Sequence, residues 1–239
     1  MQVTITHQPS FAKARVQLSP GEAVKAEAGA LLAMEGDVDI KTASGGVMKG
    51  LKRAVLGGES FFQNTFTAGG AGGSVHLCPS LPGDLFYTRL QGHTLIVQDG
   101  SYLASAPTIQ VDTKWQGARG FFSGEGFVML KVSGQGDLIL SSYGAIEQHD
   151  LKPGQRFTVD TGHIVAFTDG MGQNLRRLGG IKSTLFSGEG IVSEFTGPGT
   201  VWTQSRSSQS FLDWLARRLP GGGGSSGGEG VMGGLLGNR

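Results

Sequence analysis

The sequence is poor in cysteine and in charge. Its one cysteine, Cys78, excludes a disulfide within the chain and favours a reducing compartment. Charged residues make up 16% of the chain, and 20 Lys and Arg nearly balance 19 Asp and Glu. A protein that binds nucleic acid usually carries a basic excess or a basic stripe. We therefore expect neither DNA nor RNA as a partner.

Long apolar runs are also missing. The longest, such as residues 127–130, fall far short of the ~20 residues that span a bilayer. The N-terminal stretch MQVTITHQP lacks the basic start and the apolar core of a secretory signal. These features predict a soluble cytoplasmic protein, for which any role at a membrane is peripheral.

Patterns that carry catalysis or bind cofactors are scarce. No Gly-Lys pair exists, so a P-loop is excluded, and the five histidines include no H-x-H pair of the kind that cupin-like metalloenzymes use. Two G-x-G-x-x-G matches lie in the C-terminal Gly-rich stretch, where no strand precedes them. The sequence thus predicts no catalytic, cofactor-binding or metal-ligating residue, and no enzyme. A cupin-like enzyme whose metal ligands are dispersed along the chain is the alternative.

Glycine, by contrast, is abundant, and the 42 glycines recur in matching places. Three pairs, each eight residues apart, bracket alternating apolar stretches, and a short apolar strand follows each pair. The pairs are Gly21 and Gly29 around EAVKAEA, Gly92 and Gly100 around HTLIVQD, and Gly154 and Gly162 around QRFTVDT; the strands that follow are ALLAM, SYLAS and HIVAF. Markers in the same order along the chain indicate internal repeats.

Further markers agree with this period. Three glutamates in similar surroundings, Glu59, Glu125 and Glu189, are 66 and 64 residues apart. Gly73, Gly136 and Gly199 are 63 and 63 residues apart. Alternating apolar residues with frequent turns predict strands. We expect an all-β domain of three repeats, about 1–80, 81–150 and 151–205, arranged with pseudo-threefold symmetry because a single unit cannot cover its own apolar face.

Two segments have helical patterns. One is short, basic and amphipathic, near residues 47–56, and the other is near 208–219, where serines suit an N-cap. We place residues 1–219 in a single domain and interpret the Gly-rich residues 220–239 as a flexible tail.

The basic helix is the most suggestive feature for binding. Its cations, Lys49, Lys52 and Arg53, and the nearby Phe61 and Phe62 are candidate contacts with an anionic membrane or a protein partner. The alternative is a surface helix packed on the sheet with its cations in water. For the three repeated glutamates, a shared cation site and solvated turn residues are both possible, and turn residues are favoured.

Four motifs, in this order, resemble those of a known family. They are GGVMKGLKRAVLGGESFFQNTFTAGG, LPGDLF, LIVQDGSYLAS and VWTQSRS. The chain resembles a bacterial member of the altered-inheritance-of-mitochondria family, number twenty-four of that series, over about residues 1–218. The resemblance implies a fold similar to the tryptophan RNA-binding attenuation protein (TRAP), a β-sandwich or double-stranded β-helix with three structural repeats. It carries over no catalytic residues. Eukaryotic namesakes are associated with the mitochondrial inner membrane and its organisation.

The function predicted from the sequence is a non-catalytic interaction or scaffold protein without a cofactor. A protein partner or self-association into a homo-oligomer is expected. The alternative is a peripheral protein of an anionic membrane that is involved in membrane organisation.

Overall fold

A computed structural model describes residues 1–42, 63–112, 128–177 and 191–219. Its contacts divide the chain into two units, the first spanning Met1–Ser207 and the second beginning at Ser208. The described part of the first unit is built almost wholly of β-strands, which confirms the all-β prediction. The predicted basic helix near 47–56 lies outside the described residues, as does the Gly-rich stretch 220–239.

The first group of strands surrounds one long strand. Its members are β1 (Gln2–Thr6), β2 (Lys13–Leu18), β3 (Ala23–Glu27), β4 (Leu31–Thr42) and β5 (Gln63–Leu77). In β2, buried Ala14, Val16 and Leu18 alternate with residues that face outwards, the two-residue period of a strand that is buried on one face. Strand β5 pairs with β2, β3 and β4 along its length.

A second group also surrounds one long strand. It comprises β6 (Leu85–Gln91), β7 (Leu95–Gln98), β8 (Tyr102–Ser105), β9 (Ile109–Asp112) and β10 (Met129–Ser141). The long strand β10 pairs with the other four.

The third group has two strands in the place of one long strand. It comprises β11 (Ile146–Leu151), β12 (Arg156–Asp160), β13 (Ile164–Thr168), β14 (Gly172–Arg177), β15 (Ile191–Thr196) and β16 (Gly199–Gln204). Pro198 lies in the break between β15 and β16, where its missing N–H prevents a continuous ladder.

The strand pairs connect the three groups. A 13-stranded sheet follows the path β1-β2-β5-β3-β8-β10-β7-β13-β16-β11, with β4 attached to β5, and with β6 and β9 attached to β10. A separate three-stranded sheet has the order β12-β15-β14. The pair β3–β8 joins the first group to the second, and β7–β13 joins the second to the third.

The marker glycines lie where neighbouring strands approach closely. Across the long strand's ladder, Gly73 faces Leu18, Gly136 faces Leu90 and Gly199 faces Leu151, and all three leucines are buried. A Cβ atom on Gly73 would lie 2.6 Å from the Glu35 carbonyl oxygen, and one on Gly136 would lie 2.7 Å from Thr108 Oγ1. No side chain fits at these distances, which explains why the sequence has glycine at these markers.

Three clusters of buried side chains form the interior. The first cluster centres on strands of the first group but also includes Leu103 and Ala104 from β8. The second centres on the second group and includes Val165 and Ala166 from β13. The third contains Phe167 and Phe195 of the third group together with Ile96 and Met129 of the second. The first two clusters are thus each completed by a strand of the group that follows in sequence.

The second unit contains a helix, α1 (Ser208–Ala216). This confirms a helix in the region predicted near 208–219, although α1 ends earlier. Beyond Ala216 the chain continues in turns, in which the N–H of Arg218 donates to the carbonyl of Leu215 at 2.9 Å.

Candidate interaction surface

The binding residues predicted from the sequence lie outside the described residues. Lys49, Lys52, Arg53, Phe61 and Phe62 all fall within 43–62. The repeated glutamates fall within the same segment and within 113–127 and 178–190. These predictions therefore stay predictions.

The most distinctive part of the described surface is the start of β4. Here Leu31 is 36% exposed, Leu32 53% and Met34 39%, and Ala33 between them is also exposed. Among the described strands β4 pairs with β5 alone, which leaves its other edge open. Four consecutive apolar residues on such an edge are unusual, because an edge with unpaired N–H and C=O groups and apolar side chains invites pairing with another strand. We call residues 31–34 the β4 edge.

The register identifies the strands that correspond to the β4 edge. Leu31 pairs with Leu77, Tyr102 with Leu140 and Ile164 with Thr203, and an irregularity in register follows each pair. Beyond it, three alanines pair with the long strands: Ala33 with His76, Ala104 with Ile139, and Ala166 with Trp202. The β4 edge, β8 and the start of β13 therefore have the same geometry, including the bulge.

A second open edge belongs to β12. In the part of the chain that the structure describes, β12 pairs with β15 alone. Its Phe157 and Val159 are partly buried against the third cluster. The His149 ring stacks on Phe157 with 4.3 Å between ring centroids. We call residues 156–160 the β12 edge.

Charged groups lie beside or within these two edges. The Glu35 carboxylate, next to the β4 edge, accepts hydrogen bonds from Ser74 Oγ and from Arg15 Nη2, each at 2.9 Å. The hydrogen bond from Ser74 and the charge of Arg15 lower the pKa of Glu35, which keeps it negative. Arg156, at the start of the β12 edge, is exposed and lies 3.9 Å from Glu194. The β4 edge is thus followed by an anion, whereas the β12 edge begins with the cation Arg156 and ends with Asp160.

The junction between β3 and β8 contains a titratable cluster. Burial, and secondarily the charge of Asp99, raises the pKa of Glu27 to about 7. Burial also raises the pKa of Tyr102, whose hydroxyl accepts a hydrogen bond from Gln63 Nε2 at 2.7 Å and lies 2.7 Å from Ser105 Oγ. These hydrogen bonds satisfy buried polar groups between strands, a structural role.

The histidines engage neighbouring groups individually. His163 Nδ1 lies 2.7 Å from the Gln204 carbonyl oxygen, and His149 Nε2 lies 3.0 Å from Thr203 Oγ1. Within residues 1–42, 63–112, 128–177 and 191–219, no three His, Cys, Asp or Glu side chains are grouped so that they could hold a metal ion.

Two surface depressions are present among the described residues. One of about 620 Å³ is lined by Arg89, Thr108 and Asp137, among others, and Asp137 accepts a hydrogen bond from Tyr87 at 2.7 Å. The other, of about 230 Å³, is lined by Phe11 and the half-buried Cys78. Glu27, the carboxyl with the strongly raised pKa, lines neither depression.

The helix α1 presents apolar side chains to solvent. Leu212 and Trp214 are exposed, and so is Leu219 just beyond the helix. The Arg218 guanidinium lies 4.3 Å from the centre of the Trp214 ring, a cation–π contact. Of the helices that the structure describes, none is long and apolar enough to cross a bilayer.

Sequence reasoning identified ALLAM as a strand but missed its exposure. The segment is as apolar as SYLAS and HIVAF, whose strands are buried. No signal within the pattern distinguishes the exposed strand from the buried ones, because the difference lies in the neighbour that each strand meets.

Comparisons with known proteins place the chain in a family. The family model described as mitochondrial biogenesis AIM24 matches residues 3–206. An uncharacterized protein of Streptococcus pyogenes serotype M6 is 28% identical over 230 residues, which are 92% of this chain and 92% of that protein. A crystal structure of a Streptococcus pyogenes protein superposes with a TM-score of 0.76 at 26% identity, covering 91% of this chain and 99% of the other. The match of the family model over most of the sequence means that the chain belongs to the AIM24 mitochondrial biogenesis family.

Proposed function

We propose that the protein is a non-catalytic scaffold that works through its sheet surfaces and associates with itself. The observation that supports this most directly is the β4 edge, with its run of exposed apolar residues from Leu31 to Met34. Proteins normally blunt such an edge with charge, proline or a covering element, because it promotes association. An apolar edge kept open is consistent with a site of assembly.

The proposal includes the architecture that suits such a role. The three strand groups are copies of one unit with a TRAP-like, pseudo-threefold relationship. The support is that each group places a marker glycine opposite a buried leucine, and that each contains the same bulge before an alanine. A repeated unit whose covering strand completes the core of the preceding unit is suited to extension by further copies.

No catalytic role, cofactor or nucleic acid forms part of the proposal, and the location that we propose is the cytoplasm. The competing idea is a cupin-like enzyme with dispersed metal ligands. Metal analysis of untreated purified protein separates the two, because a stoichiometric metal whose removal lowers stability would overturn the scaffold proposal.

The test of self-association is sedimentation velocity on the purified full chain over a range of concentrations. We expect a species larger than one chain, either stable or increasing with concentration. A protein that sediments as a single chain at every concentration would overturn self-association.

A second candidate function, peripheral association with an anionic membrane, is favoured by α1. Its exposed Leu212 and Trp214 lie beside Arg217 and Arg218, the combination of apolar, aromatic and cationic side chains that binds at a lipid surface. The candidate contacts Lys49, Lys52 and Arg53 would add to the same attraction.

Co-sedimentation with anionic and with neutral vesicles tests this candidate. We expect salt-sensitive retention on anionic vesicles, weakened in Trp214→Ala and in a triple variant with Lys49, Lys52 and Arg53 changed to Glu. Phe11→Ala, at another exposed aromatic residue, is the matched control. If as much protein sediments with neutral vesicles as with anionic ones, or if none sediments with either, the role at an anionic membrane is excluded.

A further inference from the structure

Two of the strand groups obtain a covering strand from the group that follows them. At the first junction, Ala26 of β3 pairs with Ala104 of β8 and Lys25 pairs with Ser105. As a result Leu103, the bulged residue between Tyr102 and Ala104, is fully buried.

The second junction repeats this arrangement. Val97 of β7 pairs with Ala166 of β13, and Ile96 pairs with Phe167. Val165, which corresponds to Leu103, is again fully buried. The covering strand therefore contributes its bulged residue and its alanine to the core of the preceding group.

The third group has a receiving strand that no strand covers. Ala26, Val97 and Val159 correspond to one another, because they pair with Asn64, Leu130 and Ser193 of their long strands. Among the described residues, however, no strand lies against the outer side of β12. Phe157 and Val159 are accordingly only partly buried.

In the first group, the strand β4 corresponds to the covering strands, but among the described strands it pairs with β5 alone. Leu32 corresponds to Leu103 and Val165, yet it is 53% exposed where each of those is 0%. Met34 is 39% exposed, against 0% for Ser105 and 2% for Phe167 at the corresponding positions. The outer edges of β4 and β12 therefore have the complementary features of a junction, and the described strands do not pair them with each other.

We propose that the β4 edge of one copy of this chain pairs antiparallel with the β12 edge of a second copy, which repeats the internal junctions between chains. The inference rests on the proposed self-association and names its surfaces. The occupant is a second copy because both halves of the junction belong to the same sequence and the chain twice makes this junction internally.

The internal register fixes the contacts. Ala33 lies opposite Val159 of the other copy, Met34 lies opposite Thr158, and Leu32 enters the third cluster beside Val159. The next position places Glu35 opposite Phe157, with Arg156 one residue away. The Glu35 carboxylate of one copy would then lie near the Arg156 guanidinium of the other. The alanine is small in all three copies of the strand, which lets the two backbones approach.

The symmetry of the assembly follows from the use of two different edges. Each chain gives its β4 edge to one neighbour and its β12 edge to another, so the contact is head-to-tail. Such a contact produces a ring when the rotation closes and a filament when it does not.

The first experiment compares Leu32→Glu with a matched control, Leu212→Glu. Both leucines are about equally exposed in one chain, at 53% and 54%, so neither change disturbs its folding. In sedimentation velocity we expect Leu32→Glu to sediment as a single chain, whereas Leu212→Glu assembles like the unaltered protein. Circular dichroism checks that both variants keep their strands.

A disulfide experiment identifies the partner strand. Two proteins are made in a Cys78→Ala background, one with Ala33→Cys and the other with Val159→Cys. Residues directly opposite in an antiparallel pair have Cα atoms about 4.5–5.5 Å apart, within the range of a disulfide. Oxidation of the mixture should give a cross-linked dimer, whereas either protein alone should not.

The outcomes separate the inference from the function on which it rests. If the unaltered protein assembles, but Leu32→Glu also assembles and no mixed disulfide forms, the scaffold proposal stands and this interface is overturned. If the unaltered protein sediments as one chain, self-association fails and the inference fails with it. If a chain with both cysteines forms the disulfide internally as a single chain, the edges close within one copy, which also overturns the inference.

Discussion

Strand β8 and the β4 edge are built alike and situated differently. Both lie against the second half of a long strand, both have a bulge, and both place an alanine two residues after the first paired residue. Every residue of β8 is buried, whereas residues 31–34 are exposed. The same local structure therefore becomes core or surface according to whether a neighbour covers it.

The comparison shows where the stability of this fold arises. Leu103 packs into the cluster of the preceding group, so its apolar surface is removed from water within one chain. The corresponding Leu32 stays exposed in a single chain, so its apolar surface contributes no comparable stabilisation. Substitutions at the corresponding Leu103 and Leu32 should thus have very different effects. Three predictions follow, from the largest effect to the smallest: the first tests this difference, and the other two test contacts within the buried region around β8.

Truncating the buried member of the pair should have the largest effect. We expect Leu103→Ala to lower the free energy of unfolding by about 3 kcal/mol, because it removes buried apolar surface and leaves a cavity. Leu32→Ala, measured at a concentration where the chains are dissociated, should change it by less than about 0.5 kcal/mol. Urea denaturation of both variants measures the difference. Similar losses for the two variants would show that Leu32 is buried within one chain.

A marker glycine at the second group should come next. Gly136 has φ +149° and a Cβ there would also lie 2.9 Å from Ala106 Cβ, so we expect Gly136→Ala to destabilise by about 2 kcal/mol. Gly70→Ala is the control, since a Cβ on Gly70 would meet nothing within 4 Å. Thermal unfolding of both variants is the measurement. A Gly136→Ala variant as stable as the control would mean that the close approach of β10 to Ala106 and Thr108 relaxes freely.

The smallest effect is the pH dependence of stability at the junction between β3 and β8. The pKa of Glu27 is raised from 4.5 to about 7, so the folded state holds a proton that the unfolded state has lost in this window. Stability should therefore decrease as pH rises from about 4.5 to 7 and then level off. Glu27→Gln should remove this loss of stability. Relative to the unaltered protein, its free energy of unfolding should be about 1–2 kcal/mol more favourable at pH 8 than at pH 5, after allowance for solvent screening of a partly exposed group.

The control for this pH effect is Glu147→Gln, at an exposed carboxylate. In denaturant unfolding, its free energy of unfolding should differ from that of the unaltered protein by the same amount at pH 5 and at pH 8. If the difference for Glu27→Gln is also the same at both pH values, the proton linkage at this junction is contradicted.

Much of the local structure could be predicted from the sequence. The alternation in EAVKAEA, HTLIVQD and QRFTVDT corresponds to β3, β7 and β12, and the segments after the second glycines correspond to β4, β8 and β13. This succeeds because a strand that is buried on one face imposes a two-residue period. The helix near 208–219 was predictable from its apolar spacing and its serines, and α1 spans Ser208–Ala216.

The candidate surface could not be predicted in the same way. The sequence directed attention to the basic segment around Lys49, Lys52 and Arg53, because a cluster of cations beside apolar residues is visible in one dimension. The open edges carry no such mark, because Leu32 and Leu103 occupy equivalent patterns and differ only in exposure. An edge becomes a candidate site only when the strands on each side of it are known.

By itself, then, the sequence determined the strands, the turns at their glycines, the spacing of the markers and membership of a family of mostly β proteins. These follow from short-range physics: side chains alternate along a strand, and glycine alone fits where backbones nearly touch. Only the tertiary structure decided that β8 covers β3, that β13 covers β7, and that no other described strand covers the outer edges of β4 and β12. Strand pairing joins residues far apart in the chain, so whether an apolar strand is core or surface depends on which other strand lies beside it.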